Sequence, residues 1–149
     1  MSKLFFEDIN VGDSFIGAKI AVDRDRMISF AKEFDNQLMH TDATAAKAMG
    51  LDDVIASGSY TFSLAAKSCT DIWERLHFLP SGLGFQMSFV KPVYEGDELQ
   101  LNAEVINARP SRDPSRGVLE IKQAFLNQNG ESVLDLENVV WLIRTRDPR

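Results

Sequence analysis

Asp35 and His40 lie five residues apart in the segment Phe34-Asp35-Asn36-Gln37-Leu38-Met39-His40-Thr41-Asp42, and His40 is one of only two histidines in the chain. A carboxylate and an imidazole on one short stretch can hold a water molecule between them and move its protons. By spacing alone the histidine fits an ordinary hydrogen-bonded loop residue as well as a catalytic one. The second histidine, His77, falls at the end of a predicted helix, where a cation favours the dipole. It has no acidic neighbour at metal-ligand spacing and reads as structural. Cys69, the sole cysteine, lies in an apolar run without basic neighbours and reads as a buried, inert thiol. No disulfide framework and no metal site are expected.

The elements around the Asp35–His40 stretch follow from periodicity. Asp23 is placed to cap a helix whose Met27, Phe30, Ala31 and Phe34 recur at the spacing of one buried face, ending near Asp35. Asp42 is placed to cap a second, short helix through Ala43, Ala45, Ala46 and Ala48, closed by Gly50. The Asp35–His40 loop is thus pinned at both ends. From Ser59 to about Leu76 a third helix carries Tyr60, Phe62, Leu64, Ala65, Ala66, Cys69, Ile72, Trp73 and Leu76. Its first half has almost no charge, the pattern of a helix enclosed nearly all round.

Beyond Pro80 and Gly82 the period becomes that of strands. Leu99, Leu101, Ala103 and Val105 alternate with polar residues, and Leu119, Ile121 and Phe125 repeat the pattern with Gln123 interrupting it. Asn129-Gly130 suggests a two-residue type I′ turn. The segment Ser132 to Arg144 is apolar on both faces, which suits a central strand or one at a subunit interface. With strands at Phe15–Val22 and Phe85–Val93, where Phe85, Met87 and Phe89 read as core, about five strands surround one buried helix, an α+β arrangement.

At 149 residues, 44% apolar and 26% charged, the chain has the size and balance of a single soluble globular domain, residues 1–149. A net charge of −6 argues against nucleic acid as a partner. The chain shows no signal peptide and no run near the roughly 18 apolar residues of a membrane span, so no membrane partner and a cytoplasmic location are expected.

Four segments resemble the MaoC-like dehydratases, a family that includes (R)-specific enoyl-CoA hydratases and adopts the hot-dog fold. They are Phe5 to Asp13, Phe34 to His40, Val54-Ile55-Ala56-Ser57-Gly58, and Phe89 to Leu99 with its Val90-Lys91-Pro92-Val93-Tyr94-Glu95-Gly96-Asp97 core. The family's active pattern, Asp, any residue, Asn or Gln, Pro, any residue, His, is met by Asp35, Gln37 and His40, with Leu38 in the proline position. Some members carry a serine on the central helix that orients the aspartate, and the count along this chain puts Ala66 there, with Ser63 nearly one turn away.

The resemblance implies an antiparallel hot-dog sheet around the central helix, a homodimer that completes the groove, and a hydro-lyase acting on an acyl-CoA or acyl-carrier thioester. It also implies a place in acyl-CoA and fatty acid metabolism, with no cofactor beyond the thioester substrate. Asp35 is assigned as base, with His40 positioning water and exchanging protons. Gly58 at the helix start is placed to offer a backbone N–H to the thioester oxygen. Ser57 and Gln37 are grouped with it as substrate-binding residues, although Gln37 could equally orient backbone or be solvated. Arg109, Arg112 and Arg116 form a basic segment that could meet the phosphates of coenzyme A or could be a solvated loop. Two other readings stay open: a hot-dog thioesterase, whose carboxylate would sit on the central helix where the first acidic residue is Asp71, and a non-catalytic acyl-thioester binding module.

Overall fold

The computed structural model describes residues 2–81 and 83–147; Gly82, expected to help break the period before the sheet, lies outside them. The chain opens with a 3-10 turn, Phe6–Asp8, and then runs β1 (Ser14–Ala21), α1 (Arg24–Phe34), α2 (Leu38–Thr41), α3 (Ala43–Ala48), α4 (Gly58–Trp73), β2 (Phe78–Leu79), β3 (Gln86–Phe89), β4 (Glu98–Pro110), β5 (Arg116–Leu126) and β6 (Ser132–Arg144).

The strands make one antiparallel sheet ordered β1-β4-β5-β6-β2, with β3 also paired to β6. Helix α4 lies on its inner face, giving the expected α+β hot-dog arrangement. The alternation in β4 buries Leu99, Leu101, Ala103 and Val105, and β5 buries Leu119, Ile121, Gln123 and Phe125 on the same inward period. β6 is apolar on both faces because it is central, with β5 on one side and β2 and β3 on the other.

Helix and sheet meet closely at Gly17. A Cβ there would stand 2.3 Å from the Ser68 carbonyl oxygen, so only glycine lets β1 run against α4. Ser68, fully buried, fastens the contact: its Oγ donates to the Ala18 carbonyl at 2.6 Å and accepts from the Leu101 N–H at 3.0 Å. The helix is thereby tied to β1 and β4 at once.

Several expectations are corrected. β3 is shorter than Phe85–Val93, its ladder ending at Phe89, after which the Val90 and Lys91 N–H groups both donate to the Val133 carbonyl, and β4 runs on to Pro110 because its end pairs with the start of β5. β2, two residues long, is too short for alternation to show. The β5–β6 turn is not type I′. Gly130 has a φ of +74°, Asn129 is not in the positive-φ region, and the Gly130 N–H donates to the Asn127 carbonyl at 3.0 Å, giving a longer loop closed by a left-handed glycine.

In α1 only Met27 and Ala31 are buried; Phe34 is 65% exposed. Nor is α4 enclosed all round. It begins at Gly58, ends at Trp73, and leaves Ser59, Ser63, Lys67 and Thr70 along one open stripe. Phe85, Met87 and Phe89 are not core: each is at least 38% exposed.

Candidate active site

The sequence between Asp35 and His40 is not a simple loop. Asp23 caps α1 by accepting from the Arg26 N–H at 2.8 Å, and the helix ends at Asp35, whose own N–H returns to the Ala31 carbonyl at 2.8 Å. Two residues then swing the chain into α2, a single turn starting after Gln37. Asp42 ends that turn and caps α3 through the Ala45 N–H at 2.8 Å. One helical turn has too little periodicity to be visible in sequence, but it moves His40 inward.

His40 is buried, exposing 5% of its surface, and its Nδ1 lies 2.8 Å from the Ile55 carbonyl oxygen. A carbonyl only accepts, so Nδ1 carries the hydrogen and Nε2 is left facing the carboxylate. Nε2 stands 3.5 Å from Asp35 Oδ2. Asp35 is held by two donors: Gln37 Nε2 to Oδ1 at 2.8 Å and Ser57 Oγ to Oδ2 at 2.7 Å. These bonds, the Gln37 amide first and the Ser57 hydroxyl second, keep the carboxyl below its ordinary range against the opposing effect of burial, with the neighbouring His40 adding to them.

Ser57 therefore does the orienting that the sequence could not locate. It is fully buried, and as N-cap of α4 its Oγ also accepts from the Ser59 N–H at 3.2 Å. Ala66 instead lines a separate cavity farther along α4, and Ser63 spends its hydroxyl on the Ser59 carbonyl. Ser57, which the sequence groups with the substrate-binding residues, thus also holds the Asp35 carboxylate in place.

These groups open on a cleft of about 790 Å³. Asp35, Gln37 and His40 form one side, and Gly58, Thr61 and Phe62 from the first turns of α4 form another. Met87, Phe89 and Lys91 close it. The Gly58 N–H has no partner among the described residues, as expected for the first residue of a helix, and Gly58 lines the cleft. A Cβ on Gly58 would come within 2.7 Å of the Phe89 ring. Lys91, paired with Glu131, is the cation among the lining residues, and only its place beside Pro92 and Val93 after β3 gives a signal for it in sequence.

Three arginines do not join this cleft. Arg109, Arg112 and Arg116 sit at the β4–β5 hairpin, where Arg109 Nε lies 3.9 Å from Glu120 and Arg116 Nε 3.4 Å from Asp113. Asp71 is exposed and lines neither the cleft nor the neighbouring cavity. His77 stacks on Phe5 at 3.9 Å between ring centres, a packing role. Burial pushes the Cys69 thiol up to about 12, leaving it protonated.

Known proteins share both sequence and shape with this chain. It is 31% identical over 143 residues to the uncharacterized protein YdeM of Bacillus subtilis, covering 93% of this chain and 98% of YdeM. It is 28% identical over 148 residues to mesaconyl-CoA hydratase of Cereibacter sphaeroides, covering 96% of this chain but 42% of that longer protein. Among solved structures, the MaoC-like dehydratase from Rhodospirillum rubrum superposes with a TM-score of 0.87 at 31% identity, covering 97% of this chain and 99% of the other. The model of the MaoC like domain matches residues 9–124, a span that holds Asp35, His40, Ser57 and Gly58. The chain belongs to the MaoC-like family of hydratases and dehydratases.

Proposed function

We propose that the cleft adds water to, or removes it from, an enoyl thioester, as an (R)-specific enoyl-CoA hydratase or 3-hydroxyacyl-thioester dehydratase does. The observation that carries this reading is the Asp35–His40 pair, 3.5 Å apart and each fixed from behind, in one cleft that Gly58 also lines.

With Nδ1–H spent on Ile55, the imidazole in its neutral form offers a lone pair at Nε2, and the ionised carboxylate offers another. A water between them donates both hydrogens and turns an oxygen lone pair outward. As that oxygen bonds to Cβ, the π electrons move to Cα and the thioester oxygen, where the Gly58 N–H stabilises the enolate charge. Asp35 takes one water proton, and its depressed proton affinity favours passing it on. His40 keeps hold of the forming hydroxyl and assists delivery of the proton to Cα. One water is consumed, both its elements enter from one side, and the reading calls on no cofactor beyond the thioester.

The same reading places the working unit in a homodimer. β3 has one side paired to β6 and the other unpaired among the described strands, while Phe85, Met87, Phe89 and Val90 stand 38% to 56% exposed along it and just beyond. A second copy would cover them. Sedimentation should find dimers; a stable monomer with full activity would remove this part of the proposal.

The test of the chemistry is loss of the conjugated enoyl-thioester absorbance over a panel of acyl chains, comparing wild type with Asp35→Asn and His40→Ala. Equal rates for all three would sink the site. Product read with a stereospecific dehydrogenase should be (R)-3-hydroxyacyl thioester. Free thiol released from a saturated acyl thioester would instead favour a thioesterase.

A further inference from the structure

Behind the cleft lies a second cavity of about 440 Å³, between α4 and the inner face of β6. Phe62 lines both spaces, and its ring meets that of Phe85 at 5.5 Å between centres. The helix carries the two spaces in sequence. From Gly58 to Cys69, which lines the second cavity, the axis advances about 16 Å.

The walls of this cavity are nearly all apolar, with no charged residue among them. Its exceptions are Ser81 and Gln123. The Ser81 hydroxyl is already committed, donating to the Leu79 carbonyl at 2.6 Å and accepting from the Leu142 N–H at 2.8 Å. Gln123 is different. It exposes 7% of its surface, and its amide makes no hydrogen bond among the described residues. It occupies the inward period of β5 where Leu119, Ile121 and Phe125 would lead one to expect another apolar residue. Beside it β6 carries an extra residue, since Ile121 pairs with Val139 and Gln123 with Leu136. Such bulges re-aim neighbouring side chains. The ring of Trp73 lines the same cavity, and its Nε1 also has no partner.

An amide at the wall of an apolar cavity, without a hydrogen bond to any described residue, offers one donor group and one acceptor to whatever fills the space. A ligand that carries a matching oxygen there gains a bond that a plain alkyl chain does not. Resting on the hydratase reading for where the thioester sits, we propose that this cavity takes the acyl tail and that Gln123 recognises a neutral oxygen, hydroxyl or keto, carried on that tail. A carboxylate would be excluded, because no cation is present to offset its burial. A plain alkyl tail would fill the space but leave the amide unpaired.

The test uses non-reactive thioesters so that it does not depend on turnover. Both tryptophans of the chain, Trp73 and Trp141, line this cavity, so intrinsic fluorescence reports it directly. Wild type is titrated with saturated acyl-CoA thioesters of one length bearing a plain, hydroxyl, keto or carboxylate end. The hydroxyl or keto form should bind roughly tenfold more tightly than the plain one, the scale of a buried polar group gaining or losing its partner. Gln123→Leu should abolish the difference while melting no lower than wild type, and Gln123→Met serves if the first variant does not fold. Equal affinities in wild type, a preference for the carboxylate, or a preference that survives in the variant would overturn the proposal. A preference seen without any hydration of enoyl analogues would support this cavity while overturning the hydratase reading.

Discussion

The Asp35–His40 segment and the Arg109–Arg116 hairpin are both short, polar and charged, and the fold treats them in opposite ways. Around Asp35 the decisive partners come from far along the chain: Ser57 is 22 residues away, and the Ile55 carbonyl that fixes His40 is 15 away. In the hairpin the partners are near. Asp113 receives the hydroxyl and N–H of Ser115, two residues on, and pairs with Arg116 three residues on. Polar groups that satisfy one another at the surface make a solvated turn whose pairs contribute little. Polar groups held by remote elements at the wall of a cleft are aimed before any ligand arrives, which is where catalysis gains most from electrostatics.

Breaking the first region at its centre should have the largest effect. Asp35→Asn keeps the shape and both neighbours but removes the charge, and should lower kcat by roughly 10²- to 10⁴-fold with little change in binding of a saturated thioester. His40→Ala should fall in the lower part of that range, since Asp35 and Gly58 remain. A turnover assay with a binding titration separates these from loss of fold. If Asp35→Asn weakened binding and left kcat intact, the carboxylate would belong to recognition, not chemistry.

Next come the residues that aim the carboxylate. Ser57→Ala removes the bond to Asp35 Oδ2 and the cap of α4 together, so about 1 kcal/mol of stability should go with a roughly tenfold fall in kcat. The pH profile tells the two roles apart. Because its carboxyl is depressed, Asp35 stays ionised to below its ordinary value of about 3.9, so loss of its charge should contribute to the acid limb of activity only beneath that pH. The matching stability is fully present above the unfolded value and is lost as pH falls through the folded one. Ser57→Ala should move the acid limb upward, and Gln37→Leu, removing the largest cause of the shift, should move it further. A cap alone would leave the limb where it is.

How far the sequence disclosed this arrangement depends on the range of each contact. The caps Asp23 and Asp42, the alternation of β4 and the doubly apolar β6 are local patterns, and all are present in the fold. Asp35 and His40 were visible because they share one segment. A count along the helix puts the serine that orients Asp35 at Ala66, but it is Ser57, which meets the carboxylate only because α4 starts beside the end of α1. No periodicity marks a helix cap as the partner of a residue on another helix. β2 and α2 escaped for a related reason, each being shorter than one period of its own pattern. The interruption at Gln123 was plain in sequence, but its meaning needed the cavity behind it.

The smallest expected effect belongs to the second region and tests whether the contrast is complete. Arg112 is exposed and has no ion-pair partner among the described residues, whereas Arg109 and Arg116 are partly engaged by Glu120 and Asp113. If the hairpin is only a solvated turn, Arg112→Ala should change KM for a coenzyme A thioester less than about twofold, and stability by less than about 0.5 kcal/mol. Should the coenzyme's phosphates reach it from a partner's cleft, KM would rise several-fold with kcat intact, and the rise would shrink as salt screens the contact. The same substrate offered without the nucleotide separates the outcomes again, since a hairpin that binds phosphate would then lose its influence while the Asp35 variants kept theirs.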